Sequence, residues 1–286
     1  MSAVIETGTT GARQGAVGFL TDISLCIGCK ACEVACKQWN ELPAEPSALS
    51  GASYDNTLDL GATTWRHVAF VEQSKPGTDL LAGLMAGAGA AQPGREMTAW
   101  LMMSDVCKHC VRAGCLEACP TGAIIRTEFD TVVIQQDICN GCGYCIPACP
   151  FGVPQLSETD HRAHKCTLCY DRLRDGMEPA CAKACPTKSI QFGLVSELMP
   201  RARERVETLR ARGFEKAHID GDRVTGGDGG IDGLNAFFVL TDSPETFNLP
   251  AHPQLPQDKV LPALLTTALA AIGLGVAAFS ALRGRP

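Results

Sequence analysis

Cysteine spacing is where this sequence speaks most clearly. Sixteen cysteines in 286 residues fall into four tight groups separated by long cysteine-free stretches. The first group reads Cys26-x2-Cys29-x2-Cys32-x3-Cys36, and the third Cys139-x2-Cys142-x2-Cys145-x3-Cys149. The second, Cys107-x2-Cys110-x4-Cys115-x3-Cys119, and the fourth, Cys166-x2-Cys169-x11-Cys181-x3-Cys185, each stretch one interval and keep the rest. Pro120, Pro150 and Pro186 follow the last cysteine of three groups. Cysteines this close make awkward disulfides, whereas a metal site needs several thiolates converging on one point.

The x2-x2-x3 run is the spacing of bacterial two-cluster ferredoxins, in which three cysteines bind one cubane and the fourth crosses to the other. The reason is geometric. A tight loop wraps three thiolates around one face of a cubane, and the fourth iron must be reached from elsewhere. The x3 interval starts a helix that carries the last cysteine towards the sister site. By that rule groups one and four form one double-cluster module, and groups two and three form another, inserted within it. Zinc is the competing metal, but it leaves the four CxxxC pairs and their trailing prolines unexplained. Sixteen cysteines therefore predict four complete [4Fe-4S] clusters. Gly28, Gly141 and Gly143 lie inside the loops, where small residues let backbone N–H groups approach sulfur.

No catalytic constellation accompanies them. His67, His109, His161, His164, His218 and His252 form no ligand or dyad pattern. His109 stands between two cluster ligands, which suits structure or potential tuning better than acid–base work. There is no phosphate-binding glycine loop and no nucleophile motif. A radical S-adenosylmethionine enzyme would show CxxxCxxC with one iron left open, and every group here supplies a fourth cysteine. The net charge of −6 excludes a nucleic-acid surface. Lys30, Lys37, Lys108, Arg112, Lys165, Arg172, Lys183 and Lys188, inside or beside the groups, read as local charge compensation.

The elements that must position these thiolates are short. Val17–Ile23 precedes the first group as an extended stretch, Ala123–Thr127 and Thr131–Gln135 bracket a turn at Glu128–Asp130, and Ser189–Val195 follows the last group as a strand candidate. The expected class is α+β: two interleaved ferredoxin-like double-cluster modules plus one C-terminal transmembrane helix. The first module takes residues 17–40 and 155–195, and the second 99–154. Between them 41–98 is an insertion with a flexible loop at Ala82–Gly94. Residues 196–258 hold a charged helix (197–216), a glycine-rich turn with Asp222, Asp228 and Asp232, and a proline-rich tether from Pro244 to Pro256. Val260 to Leu282 carries no charge. At 1.5 Å per residue that is about 34 Å of helix, enough for a hydrocarbon core of about 30 Å. Met1 to Ala16 has neither a basic-then-apolar pattern nor a twin-arginine pair, so no signal peptide is expected there.

The motifs CIGCKACEVACKQWNE (26–41), YDNTLDLGATTWRHVAF (54–70), CKHCVRAGCLEACPTGAI (107–124), CNGCGYCIPACPFGVP (139–154) and HKCTLCYDRL…EPACAKACPTKSI (164–190) resemble the four-cluster ferredoxin subunits of molybdopterin oxidoreductases. Within that family the chain looks like the β (iron–sulfur) subunit of membrane-bound respiratory formate dehydrogenase, a likeness extended by residues 202–217 and the terminal span. The cysteine framework is shared with sulfoxide and polysulfide reductase relatives; the KQWNE stretch and the single anchor favour formate dehydrogenase. A nitrate reductase β subunit would replace one cysteine with tryptophan, and none is replaced here.

The resemblance implies residue-level ligand sets. Cluster one takes Cys26, Cys29, Cys32 and Cys185; cluster two takes Cys36, Cys166, Cys169 and Cys181. Cluster three takes Cys107, Cys110, Cys115 and Cys149; cluster four takes Cys119, Cys139, Cys142 and Cys145. It further implies a non-catalytic relay from a molybdenum or tungsten catalytic subunit to a membrane cytochrome b subunit and quinone. The same relay in a sulfoxide or polysulfide reductase is the alternative, and a free carrier or scaffold is disfavoured by the anchor and the sixteen ligands. Arg283 and Arg285 beyond the span, against the cancelling Asp258 and Lys259 before it, place the C-terminus in the cytoplasm and the cluster modules in the periplasm, on a single-pass inner-membrane protein.

Overall fold

The computed structural model describes residues 15–44, 54, 55, 57–76, 95–222 and 231–283. The Ala82–Gly94 loop, Asp228, Arg285 and nearly all of Met1–Ala16 lie outside the described residues.

A four-stranded sheet organises the body, in the order β8-β1-β10-β9, where β1 is Val17–Asp22, β8 Ile190–Leu194, β9 His218–Asp220 and β10 Ala236–Leu240. β1 pairs parallel with β10 (Phe19 opposite Ala236) and antiparallel with β8 (Phe19 opposite Phe192). Successive side chains of a strand point to opposite faces, and here both faces are covered. Val17, Phe19 and Ala236 pack with the cysteine loops, while Leu20, Phe237 and Val239 pack beneath the helix Val195–Ala211. A strand covered on both sides reads as a continuous apolar run, which is how AFFVL at 236–240 reads. The helix turns Leu198, Met199, Ala202, Val206 and Leu209 onto the sheet at helical spacing.

The other strands are pairs: β2 (Arg66–Pro76) with β3 (Arg95–Val106), β4 (Ile124–Arg126) with β5 (Val132–Ile134), and β6 (Gln155–Leu156) with β7 (Ala163–His164). β4 and β5 bracket the expected turn, closed by Thr127 N–H donating to the Thr131 carbonyl. Each cysteine group feeds a short helix: α1 (Ala31–Trp39), α2 (Gly114–Glu117), α3 (Cys145–Ala148), α4 (Tyr170–Arg174) and α5 (Ala180–Ala184). α1 packs on α5, and α2 on α3. The long helix after β8 is α6, and the C-terminal helix, Pro256–Arg283, is α7. This is the expected α+β class, with two dicluster regions and one terminal apolar helix.

The segment read as a tether carries a 3-10 turn at Pro244–Phe247 and buries Phe247, Leu249 and Leu255. α7 leaves the body clamped. Arg112 donates to both carboxylate oxygens of Asp258 (2.8 and 2.7 Å), and Gln257 Nε2 donates to the Gly114 carbonyl at 3.2 Å. Beyond, Leu261, Leu264, Leu265, Leu269, Ile272, Leu274 and Val276 are exposed. Thr266 and Thr267 return their hydroxyl hydrogens to the Ala263 carbonyl (2.9 and 2.8 Å), so the helix keeps its polar groups satisfied internally. Among the described residues this is the one helix long and apolar enough to cross a membrane.

Candidate iron–sulfur sites

The cysteine loops curl because residues in the left-handed region turn them. Gly28 (φ 65°) and Lys30 (φ 57°) shape the first, Gly141 (φ 73°) and Gly143 (φ 77°) the third, and Leu168 and Cys169 (φ 58° and 48°) the fourth. At Gly141 a side chain is doubly excluded: a Cβ would lie 2.1 Å from the His161 carbonyl oxygen. At Gly28 it would lie 2.7 Å from the Phe70 ring. The curl also aims amides at sulfur. Leu168 N–H donates to Cys166 Sγ at 3.3 Å, and Gly28 N–H bonds the Cys26 thiol.

All sixteen cysteines are free of disulfides. Cys26, Cys29, Cys32 and Cys185 line one small cavity together with Ser104 and Val68. Cys119, Cys139, Cys142 and Cys145 line another, walled by Ile124, Ile134 and Ala163. Buried sulfurs gather in two further places. Cys36 lies within electrostatic reach of Cys181 and Cys169, and Cys166 of Cys36, Cys169 and Cys181. Cys110 has Cys107, Cys149 and Cys115 around it. Cys166 also feels Cys107, so these two gatherings adjoin. Among the described residues no three His, Cys, Asp or Glu side chains converge closely enough to chelate a single ion. A donor set of thiolates alone, gathered in fours with no three converging on a single-ion point, fits four-iron cubanes.

Burial pushes most of these thiols up: Cys32, Cys145 and Cys169 to about 11, Cys115 to about 12, and Cys36, Cys110 and Cys166 further in the same direction. Neighbouring sulfurs add to that rise in each case. Cys119 goes the other way. Burial opposes its charge, but the Thr121 hydroxyl and the N–H groups of Ile124, Thr121 and Ala123 bond the sulfur and pull it below a free thiol. Loading metal onto such sites must expel protons, and what makes the thiolates tolerable afterwards is buried cation. Lys165 is 2% exposed and donates to the Val132 and Cys166 carbonyls, the latter at 3.0 Å. Burial works against its charge, while Cys107, Cys115 and Cys166 hold its pKa above the ordinary value. Lys108, as deeply buried, meets Asp105 and lies over the Phe151 and Phe238 rings at 5.2 and 5.3 Å.

The eight cations expected to compensate charge thus divide. Lys108 and Lys165 are buried beside sulfurs. Lys30 pairs with Glu33 (3.4 Å), Lys37 bonds the Pro43 and Thr63 carbonyls, Arg112 bonds Glu117 and Asp258, Arg172 stacks on Trp39 (4.2 Å), and Lys183 and Lys188 are exposed. His109 is buried with φ 43°; its Nδ1 accepts from Val132 N–H at 3.1 Å, which leaves the proton on Nε2. Burial first, then Lys165, Arg126 and Arg66, hold it neutral. His67 and His164 are tied to Asp55 and Asp160 (2.7 and 2.9 Å). Spacing rules did not single out Arg66, which lies outside every cysteine group yet is fully buried among the sulfurs of the first and fourth. Its only signal is a guanidinium two residues before the apolar run Val68–Val71.

Comparison with known proteins accords with this donor set. Two profiles of the 4Fe-4S dicluster domain match, over residues 25–123 and 98–195. The formate dehydrogenase iron–sulfur subunit of Haemophilus influenzae is 38% identical over 260 residues, covering 90% of this chain and 75% of that one. The nitrate-inducible formate dehydrogenase iron–sulfur subunit of Escherichia coli is 41% identical over 243 residues, 84% of this chain and 74% of that one. A polypeptide of the anaerobic dimethyl sulfoxide reductase of Escherichia coli is 33% identical over 181 residues, 63% and 75% respectively. The protein carries four [4Fe-4S] clusters.

Proposed function

We propose a role for this protein from one premise, that it belongs to the family of formate dehydrogenase iron–sulfur subunits. It is an electron-transfer subunit of a complex of the formate dehydrogenase and dimethyl sulfoxide reductase kind, and a catalytic subunit is its partner. The finer reading is ours. The protein holds its clusters in a row, so that reducing equivalents from formate oxidation at a molybdenum or tungsten centre in that partner reach a membrane cytochrome b subunit and then quinone. A [4Fe-4S] cluster, when bound, supplies a one-electron couple whose potential depends on net charge, hydrogen bonds to sulfur and exposure. The single observation that carries the reading is the gathering of the sixteen cysteines into four adjoining places, two of them small cavities and two buried.

The ligand sets follow as proposals: Cys26, Cys29, Cys32 and Cys185; Cys36, Cys166, Cys169 and Cys181; Cys107, Cys110, Cys115 and Cys149; Cys119, Cys139, Cys142 and Cys145. Support comes from the same four gatherings, since each set keeps together sulfurs that are neighbours in the fold. It also supports the division into interleaved modules, 17–40 with 155–195 and 99–154. The protein's own residues hold the row in place: left-handed loops aim amides at sulfur, and Lys165 carries positive charge where the two modules adjoin. Periplasmic placement of the modules, with α7 crossing the inner membrane, rests on Arg283 beyond the span.

Purifying the native complex tests the whole. Expected are formate-to-quinone activity, about sixteen irons per copy of this subunit, and four interacting clusters in an EPR redox titration. A subunit that purifies alone without molybdopterin or haem overturns the assignment. Activity on a sulfoxide instead of formate moves it to the second reading, which the 33% likeness to the sulfoxide reductase polypeptide favours. Protease treatment of intact spheroplasts decides the side: cleavage of the cluster modules is expected, and their protection overturns the periplasmic placement.

A further inference from the structure

Arg66 opens β2 and is 1% exposed, and it forms no ion pair with a carboxylate among the described residues. Its Nη1 donates to the Ser104 carbonyl (3.2 Å) and hydroxyl (3.0 Å). Its Nε and Nη2 are buried with no hydrogen-bond partner. The Phe19 ring closes one face of the guanidinium at 4.9 Å. A buried charge with two orphaned donors is expensive unless something receives them. What surrounds this one is sulfur: it lies within electrostatic reach of Cys181, Cys32, Cys166, Cys36 and Cys26. Ser104 extends the contact, because its hydroxyl lies 3.2 Å from Cys32 Sγ while accepting from Arg66. Lys165, where the modules adjoin, differs in having carbonyl partners for its ammonium.

We propose that Arg66 is the shared counter-cation of the two clusters in the first module. Its Nε–H and Nη2–H are offered to sulfur of the cluster held by Cys36, Cys166, Cys169 and Cys181, and its Nη1 acts on the cluster held by Cys26, Cys29, Cys32 and Cys185 through the Ser104 hydroxyl. This rests on the ligand sets proposed above. Reduction adds one negative charge to either cluster, so a fixed cation between them favours both reduced states. An arginine cannot discharge itself by losing its proton, which makes it a constant bias at any working pH. It is a positioning and tuning residue, and a reduction potential is the readout that mere structural support would not move.

The test uses the full complex with Arg66→Gln and Arg66→Lys, iron and sulfide counts, and EPR redox titration. With Arg66→Gln, the equilibrium constant for reduction of two of the four clusters should fall about tenfold or more, which is about 59 mV for a one-electron couple. The other two should stay within about twofold. Arg66→Lys keeps the charge, loses the planar fork, and should lower the same two by about threefold. Sixteen irons with four unmoved potentials in Arg66→Gln overturn the inference while leaving the proposed function standing, as do four potentials that fall together. If Arg66→Gln does not load, Arg66→Lys decides: two lowered potentials support the cation, and none overturns it. A wild-type complex with markedly fewer than sixteen irons fails the underlying assignment instead.

Discussion

The outer and the inner cysteine quartets of this molecule are built from one spacing and placed in opposite environments. In each outer quartet one thiol faces solvent, Cys29 in one and Cys142 in the other, and each lines a small cavity. In the inner quartets no cysteine is exposed, burial drives the thiols upward, and buried Lys165 lies where they adjoin. The difference teaches what each place is for. An end must exchange electrons with another molecule, so it gives up shielding. A middle needs only to pass charge inward, so it can be dry, provided fixed cations balance what it holds.

The comparison breaks most visibly at the cysteines themselves. Cys166→Ser, in the dry interior beside both inner gatherings, should cost more than half of the iron and most of the folded yield. Cys142→Ser, at the rim, should cost only about four irons and leave the rest of the protein folded. Iron analysis and thermal melting of the two purified variants compare them directly, and equal losses would remove the inner–outer distinction. Metal removal sharpens the same point. A strong chelator under reducing conditions should take iron in two phases, about half of it quickly from the exposed quartets, whereas one uniform phase would mean equal access.

Smaller effects test the cations and the periphery. Lys165→Met removes a buried ammonium and its two carbonyl contacts, and should destabilise the loaded protein by about 1–3 kcal/mol in denaturant unfolding. Lys183→Met, on the surface, should stay within about 0.5 kcal/mol. Away from the sulfurs, on β2, His67 bonds Asp55, which also accepts from the N–H groups of Thr57 and Leu58. Burial opposes its charge, but these bonds outweigh it and hold its pKa below the ordinary carboxylate value. A depressed folded pKa stabilises above the unfolded value of about 3.9 and loses that contribution as pH falls through the folded one. Asp55→Asn should therefore cost about 1 kcal/mol at pH 7 and nothing in strong acid, read from melting curves across pH.

How much of this was legible depended on whether the signal was local. Four clusters follow from counting, because a cubane imposes its ligand spacing on a short loop. β1, the β4–β5 turn, β8, α6 and the terminal span were readable for the same reason: their patterns are complete within a few residues. β10 was not picked out, although Ala236–Leu240 is apolar throughout, because a strand buried on both faces lacks the alternation that identifies one. β2 sits in what reads as an insertion, while its partner β3 runs from the end of that insertion into the second module. Arg66 was invisible for a deeper reason. A cation is assigned to a cluster by nearness in sequence, and this one arrives from a strand between the first two cysteine groups. The sorting of Lys108 and Lys165 into the interior, and of Lys183 outward, likewise needs tertiary packing.

The clamp at the root of α7 has a mechanical consequence. Asp258 and Gln257, the residues from which the helix departs, are held by Arg112 and Gly114, which flank the thiols of the second cysteine group. The helix therefore leaves the body tied at its first turn by these contacts. Its uncharged stretch, Val260 to Leu282, runs about 34 Å, a little longer than a hydrocarbon core of about 30 Å, and such a span settles in lipid by leaning. In the membrane placement proposed above, a lean of that helix passes through the clamp to the cysteine sites that Arg112 and Gly114 flank.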